Sequence, residues 1–451
     1  MNNSSTLEDP RQALIRLDLF LKISEEELLK IIREEFADEL ERLKRAYYIP
    51  SGPSVISSTP TPSRLLFNSD YGEVNRTLVG LLTLKWICTK QYDTLVGTQA
   101  AAVKLSKESF DWIYHLFNTF ISNYGNLYAL ITSILINDLG KDEKLVSEYW
   151  EKTDEDISDQ NHDMILLKAV EAGMVPAFDR LTPQEKDDVR YGIRLGAEFN
   201  FGQLAQAENP PASLSIIGEL GRNQRAFKLH FMEQLLDVAG AAGHMDWTCA
   251  KKLNQPIFEA FRDAYTSTIS IVSSPTLWTL RQKYDMTLLK RSERLNAKGF
   301  RELDVVIPAD RALLRLLCMG SVSSREMAEL YDDVWGGLQP SVRSALIEGL
   351  NIDGAVGKPA VQPTYMPAIV LQVIDADGPS TQEMRKKAFH SALVYLSRVL
   401  GEAKVQDDRA IVIECNLLRV LKDVVQSDAF LAEPSILETT GVPKAVVAKA
   451  G

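Results

Sequence analysis

An all-α fold follows from three features of this 451-residue chain: apolar residues recur at helical spacing, capping boxes mark helix starts, and strand signals are weak. Ser24 and Glu27 form the first capping box. Leu28, Ile31, Ile32, Phe36, Leu40 and Leu43 follow at helical spacing, which predicts a surface helix running to about Tyr48. It should end before Ile49-Pro50-Ser51-Gly52-Pro53, and the Ser/Thr/Pro stretch through Ser63 reads as an extended connection. Ser109 to Tyr124 and Leu127 to Leu139 are apolar around most of their circumference, as central helices are, and Gly140 stands where the second should stop. Thr182-Pro183-Gln184-Glu185, Ser323 with Glu326, and Ser380 with Glu383 mark later starts. Pro275 is placed to open a helix carrying Trp278, Tyr284, Met286, Leu289 and Lys290. An irregular run from Asn351 to Pro367 precedes the last helical section. Ala368 to Ile374 and Ala410 to Glu414 fit short strands or buried helix equally.

The length suits one large helical core or two lobes sharing an interface. The punctuation divides it into an N-terminal helix and Pro/Ser-rich connection (1–66), a helical catalytic core (67–300) and a C-terminal helical section (301–451). An apolar fraction of 45% and a charged fraction of 25% are those of an ordinary globular protein. The net charge of -11 argues against nucleic acid as a partner, and any phosphorylated substrate needs a local cationic pocket or a metal ion. Cys88, Cys249, Cys318 and Cys415 lie far apart in apolar contexts, which suits reduced core thiols rather than a zinc ribbon or redox pair. No secretory pattern opens the chain and no apolar run is long enough for a membrane span, so a cytoplasmic monomer or homodimer is expected.

The polar residues set into apolar helices carry the chemistry. Asn137 and Asp138 end a strongly apolar helix, where an unpaired carboxylate would be costly to bury. Lys141, Asp142 and Glu143 follow, and one further helical turn would bring Asp142 to the face of Asp138. A second cluster, Asp159-Gln160-Asn161-His162-Asp163, runs straight into the apolar segment Met164 to Val170. Two oxygen-rich clusters at the ends of neighbouring helices suit Mg²⁺, with Asn137, Asp138, His162 and Asp163 as ligands. The alternative for the second cluster is helix N-capping.

The stretch Ile136-Asn137-Asp138-Leu139-Gly140-Lys141, with His115 before it and His162 after, resembles the His-Asp-x-Gly-Lys signature of HD-domain metallohydrolases and oxygenases. Asn137 replaces the histidine of that pair, which favours an oxygen-preferring ion over a transition metal. This resemblance implies a phosphohydrolase or a di-iron oxygenase as the second reading.

Lys290, Arg291 and Arg294 form a basic helix turn, with Met286 one turn before Lys290. Such a face suits a ligand with an apolar body and an anionic head, although a basic turn also complements a helix C-terminus. Asn137-Asp138 begins like the second metal motif of class I terpene cyclases, but Lys141 and Leu145 stand where that motif needs a hydroxyl and a carboxylate. Asp332-Asp333-Val334-Trp335-Gly336 likewise fails the aspartate-rich motif. Met286-Thr287-Leu288-Leu289-Lys290 resembles the non-standard fungal humulene synthases of tropolone sesquiterpenoid biosynthesis, which lack both motifs. That resemblance implies a lyase of secondary metabolism that takes the isoprenoid farnesyl diphosphate to a cyclic hydrocarbon with two Mg²⁺ ions. Lys290 would bind the diphosphate with Lys141 or Arg294 in support, Met286 would gate the product, and Trp278 and Tyr284 would line the cavity. Asp138 joins Lys290 as the expected catalytic pair.

Overall fold

The computed structural model describes residues 11–48, 59–221, 223–273, 279–374 and 381–450. The fold is all-α with one small sheet. Two compact units divide the chain: residues 1–197 with 223–258, and residues 198–222 with 259–451. The division therefore does not follow the expected boundaries at 66 and 300. Segment 198–222 belongs with the later residues because buried side chains of that unit hold its backbone. Arg315 donates to the carbonyls of Ala207 and Asn209, and the Tyr284 hydroxyl donates to Ala207 O at 3.2 Å.

In the first unit, α1 (Glu25–Glu35) opens with the expected capping box: Ser24 Oγ accepts from Glu27 N and the Glu27 carboxylate accepts from Ser24 N. The expected single helix is two, because the chain breaks at Phe36 before α2 (Ala37–Leu43). The connection after it is shorter than expected. Thr61 caps a helix from Pro62 to Phe67, which takes up the last residues of the Pro-rich stretch, and residues 49–58 lie outside the described ones. Next comes α3 (Gly72–Cys88), buried nearly all round.

The expected central helices are present as α4 (Lys107–Tyr124) and α5 (Leu127–Ile136). Every residue of α5 is buried, yet it ends three residues before the expected stop. A 3-10 turn, Leu139–Lys141, takes over, and Asp142 then caps α6 (Glu143–Thr153) by accepting from Lys144 N. Then α7 (His162–Glu171), α8 (Pro183–Glu198, behind the Thr182–Glu185 capping box) and α9 (Gln224–Gly240) complete the frame of the site.

In the second unit, α10 (Leu280–Ala297) starts one turn later than Pro275 would place it. Thr279 is its N-cap in a capping box with Gln282, and residues 274–278, Trp278 among them, lie outside the described ones. There follow α11 (Pro308–Met319), α12 (Arg325–Gly337) and α13 (Pro340–Leu350). Ser324 rather than Ser323 caps α12, since its Oγ accepts from Met327 N. The sheet joins β1 (Ala360–Gln362), β2 (Ala410–Glu414) and β3 (Val446–Ala450); β2 pairs parallel with β1 and antiparallel with β3. Residues 366–374 form helix α14 (Met366–Ile374), whereas Ala410 to Glu414 is a strand. Thr381 caps α15 (Gln382–Glu402), and Ser380 lies outside the described residues. All four cysteines are free thiols, three of them buried. Among the described residues no helix is long and apolar enough to cross a membrane.

Candidate functional site

Two glycines bring the site together inside the first unit. At Gly240 a Cβ would lie 2.2 Å from the carbonyl oxygen of Arg76, so α9 approaches the first turns of α3 at backbone distance. At Gly140 a Cβ would lie 1.8 Å from His162 O, so the 3-10 turn sits directly on the start of α7. The first approach sets Asp237 of α9 within charge range of Arg76 of α3. The second joins the two polar clusters of the sequence, Asn137 to Lys141 and His162 to Asp163.

A charged network results. Lys141 Nζ lies 2.7 Å from Asp138 Oδ1 and 2.9 Å from Glu73 Oε1, while Arg76 Nη1 lies 2.9 Å from Glu73 Oε2. His162 Nε2 is 4.0 Å from Asp138 Oδ1 and 3.5 Å from Asp163 Oδ1. Asp138 and Glu73 are buried, so these pairs are shielded from water and salt. Burial, then the charge of Asp138 and a hydrogen bond to it, pushes the Glu73 carboxyl up to about 8, against the pull of Lys141 and Arg76. For Asp138, burial is outweighed by the charge of Lys141, the hydrogen bond with Glu73 and the charge of Arg76, which together hold it ionised far below its ordinary range. Lys141 is held protonated above its ordinary range, because those two carboxylates outweigh its burial.

Beside the network lies a cavity of about 20 Å³, lined in part by Ser133, Asn137, Asp163, His230 and Glu233. That volume suits a single water molecule or ion. Its chemistry is acid-rich. Asp163 and Glu233 line the cavity, and Glu73, Asp138 and Asp237 stand nearby; among the described residues Lys141 and Arg76 are the permanent cations of this group. Burial and then the charge of Asp237 raise the Glu233 carboxyl well above its ordinary range, and burial and then the charge of Asp138 raise Asp237. Burial lowers the His230 imidazole to about 4, so it is neutral, with Nδ1 3.3 Å from Glu233 Oε2. Glu233 Oε1 and Ser133 Oγ are buried there without a hydrogen-bond partner. Carboxyls that burial, and secondarily one another's charge, keep protonated, with an unpartnered oxygen at an ion-sized cavity, fit a hard divalent cation. Among the described residues, no three His, Cys, Asp or Glu side chains already stand in ligand geometry.

The site residues expected from the sequence fall into two groups. Asn137, Asp138, Lys141, His162 and Asp163 do meet. Within that group the oxygen of Asp138 is taken by Lys141, whose ammonium stands between Asp138 and Glu73, while Asn137 and Asp163 face the cavity. Asp142 does not share the face of Asp138; it pairs with Arg45 at 2.6 Å and with Arg42 at 3.4 Å. Asn161 caps α7, accepting from Met164 N at 2.8 Å, as the N-capping alternative requires. Exposed on α4, with its ring against Tyr114, His115 leaves the HD-type ligand pattern without its first histidine.

The second group belongs to the second unit. Lys290 is exposed and pairs with Glu293 at 2.8 Å; Met286 is half-buried. Arg294 pairs with Asp263. Tyr284 is fully buried, with the guanidinium groups of Arg311 and Arg315 each 5.6 Å from its ring, so it is a core residue of that unit.

The sequence reading missed Glu73, Arg76, Glu233 and Asp237. A signal was present: Glu233 and Asp237 stand four apart among Phe231, Met232, Leu235 and Leu236, in a helix otherwise apolar at that level.

Fold and site define the class as a predominantly helical protein with an acid-lined, ion-sized cavity between packed helices. The chain belongs to a family of unknown function (DUF6829), whose model matches residues 29–437. No curated protein and no solved structure matches it.

Proposed function

We propose that the protein is a Mg²⁺-dependent sesquiterpene cyclase that converts farnesyl diphosphate to a cyclic hydrocarbon of humulene type. The observation that carries the reading is the unpartnered Glu233 oxygen in an ion-sized cavity where carboxyls outnumber cations. The resemblance of Met286 to Lys290 to the non-standard humulene synthases supplies the substrate. In this reading Asn137, Asp163 and Glu233, with His162 beside Asp163, hold one of the two ions that the resemblance implies. Such an ion, when bound, draws charge from the departing diphosphate. Lys141 and Arg76 keep Asp138 and Glu73 fixed around the site; diphosphate binding by Lys290 is what the resemblance implies. Met286 borders the hydrocarbon, and the cavity receives the ion rather than the isoprenoid chain.

The test is incubation of the purified protein with farnesyl diphosphate and Mg²⁺, followed by analysis of the headspace. A cyclic hydrocarbon that disappears in Lys290→Ala, with folding unchanged, supports the assignment. Hydrolysis of a phosphomonoester or phosphodiester with no terpene formed overturns it. An HD-type metal centre would need His115, which is exposed on α4.

A further inference from the structure

The second unit contains a crevice of about 330 Å³ whose walls include Ile352, Val361, Leu400, Val405 and Ile413, with Lys404 as the one charged residue among the described lining. Val361 and Ile413 are paired neighbours on β1 and β2, so both point to one face of the sheet. Leu400 comes from the last turn of α15, and Lys404 from the residues that follow it. The volume lies at the lower end of the range of small-ligand pockets, and a mostly apolar wall with one polar group is their usual composition.

The state of Lys404 makes this more than a packing defect. Of its neighbouring acids, Glu402 accepts from Arg398 at 2.9 Å and Asp407 lies 3.5 Å from Arg409, while Asp408 is exposed. Among the described residues Lys404 itself is exposed and has no hydrogen-bond or ion-pair partner. We infer that this crevice binds a monocarboxylate with a medium-length apolar chain, the chain along Val361, Leu400 and Ile413 and the carboxylate on Lys404. A single ammonium balances one negative charge, so a monoanion fits and a phosphate dianion does not. The inference does not rest on the cyclase reading, since every residue it uses lies at 349–413 and none belongs to the acid-lined site.

Calorimetric titration of the full-length protein with hexanoate, octanoate and decanoate tests it. Affinity should rise about fourfold per methylene as apolar surface leaves water. Decanol should bind about tenfold more weakly than decanoate, and Lys404→Gln should erase that difference. Gly401 lines the crevice, and a Cβ there would meet no atom within 4 Å, so Gly401→Leu should fill the space and abolish binding without unfolding the protein. Failure of decanoate to bind the wild-type protein overturns the inference, as does binding indifferent to both substitutions. Tighter binding of decyl phosphate than of decanoate overturns the choice of a monocarboxylate.

Discussion

Lys141 Nζ stands 2.7 Å from Asp138 Oδ1, three residues away across a 3-10 turn and almost out of reach of water. The pair also faces Glu73, so each charge depends on the other two. Asp138→Asn and Lys141→Met should each destabilise the protein by about 3–5 kcal/mol, because each leaves a buried charge poorly compensated. The Lys141 change should be the larger, since it removes the cation between Asp138 and Glu73, whereas Asp138→Asn leaves Glu73 to ionise beside Lys141. In urea denaturation the double variant should lose markedly less than the sum of the singles. Strict additivity would show that the pair is not coupled.

Gly140→Ala tests how the polar clusters are joined. The added methyl would fall 1.8 Å from His162 O, so the turn and α7 must separate, at about 1–3 kcal/mol. Gly218→Ala, in a helical turn where a Cβ meets nothing within 4 Å, should leave stability unchanged or raise it by up to about 1 kcal/mol. Equal effects in thermal melts would contradict the close approach.

Ion binding at the acid-lined cavity should be visible as stabilisation. Saturating Mg²⁺ should raise the melting temperature above that in NaCl of equal ionic strength, reflecting about 2.7 kcal/mol of stabilisation at one hundred times the dissociation constant. Glu233→Gln and Asp163→Asn should each remove most of that gain. An unchanged response in both variants would place the ion elsewhere.

Glu208 gives a pH dependence separate from the site. Its carboxyl is buried in the second unit, accepts from Tyr365 N at 2.7 Å, and is pushed up to about 8 by burial and secondarily by the charge of Glu414. The folded state therefore holds the proton more tightly than the unfolded chain, whose value is 4.5. Its contribution is fully present below 4.5 and is lost as pH rises through about 8. Denaturation midpoints of the wild-type protein should fall over that window, and Glu208→Gln should flatten the fall. A Gln variant that declines as steeply would remove Glu208 as the cause.

Helix starts were the most legible part of this chain. Ser24 with Glu27 and Thr182 with Glu185 cap as their spacing requires, since capping is decided within four residues. Helix ends were less so. The run Leu127 to Leu139 is apolar throughout, and hydropathy does not register the change to a 3-10 turn at Leu139. Ala410 to Glu414 and Ala368 to Ile374 have similar compositions, and tertiary pairing with β1 made only the first a strand. Within the site, Asn137, Asp138, His162 and Asp163 stood out because they interrupt apolar helices. Their meeting depends on Gly140, and their neighbours Glu73 and Glu233 arrive through the contact of α3 with α9, residues far apart in sequence. No local pattern encodes that contact.

The central claim is that the acid-lined cavity serves diphosphate departure, and diphosphate release is its most direct measure. Purified protein is mixed with farnesyl diphosphate, and free diphosphate and hydrocarbon are both quantified as Mg²⁺ is raised, in wild type and in Glu233→Gln. The account predicts equimolar diphosphate and cyclic hydrocarbon, absent with a chelator and reduced at least tenfold in the variant. No diphosphate release from the wild-type protein at saturating Mg²⁺, or release indifferent to both Mg²⁺ and Glu233, would contradict it.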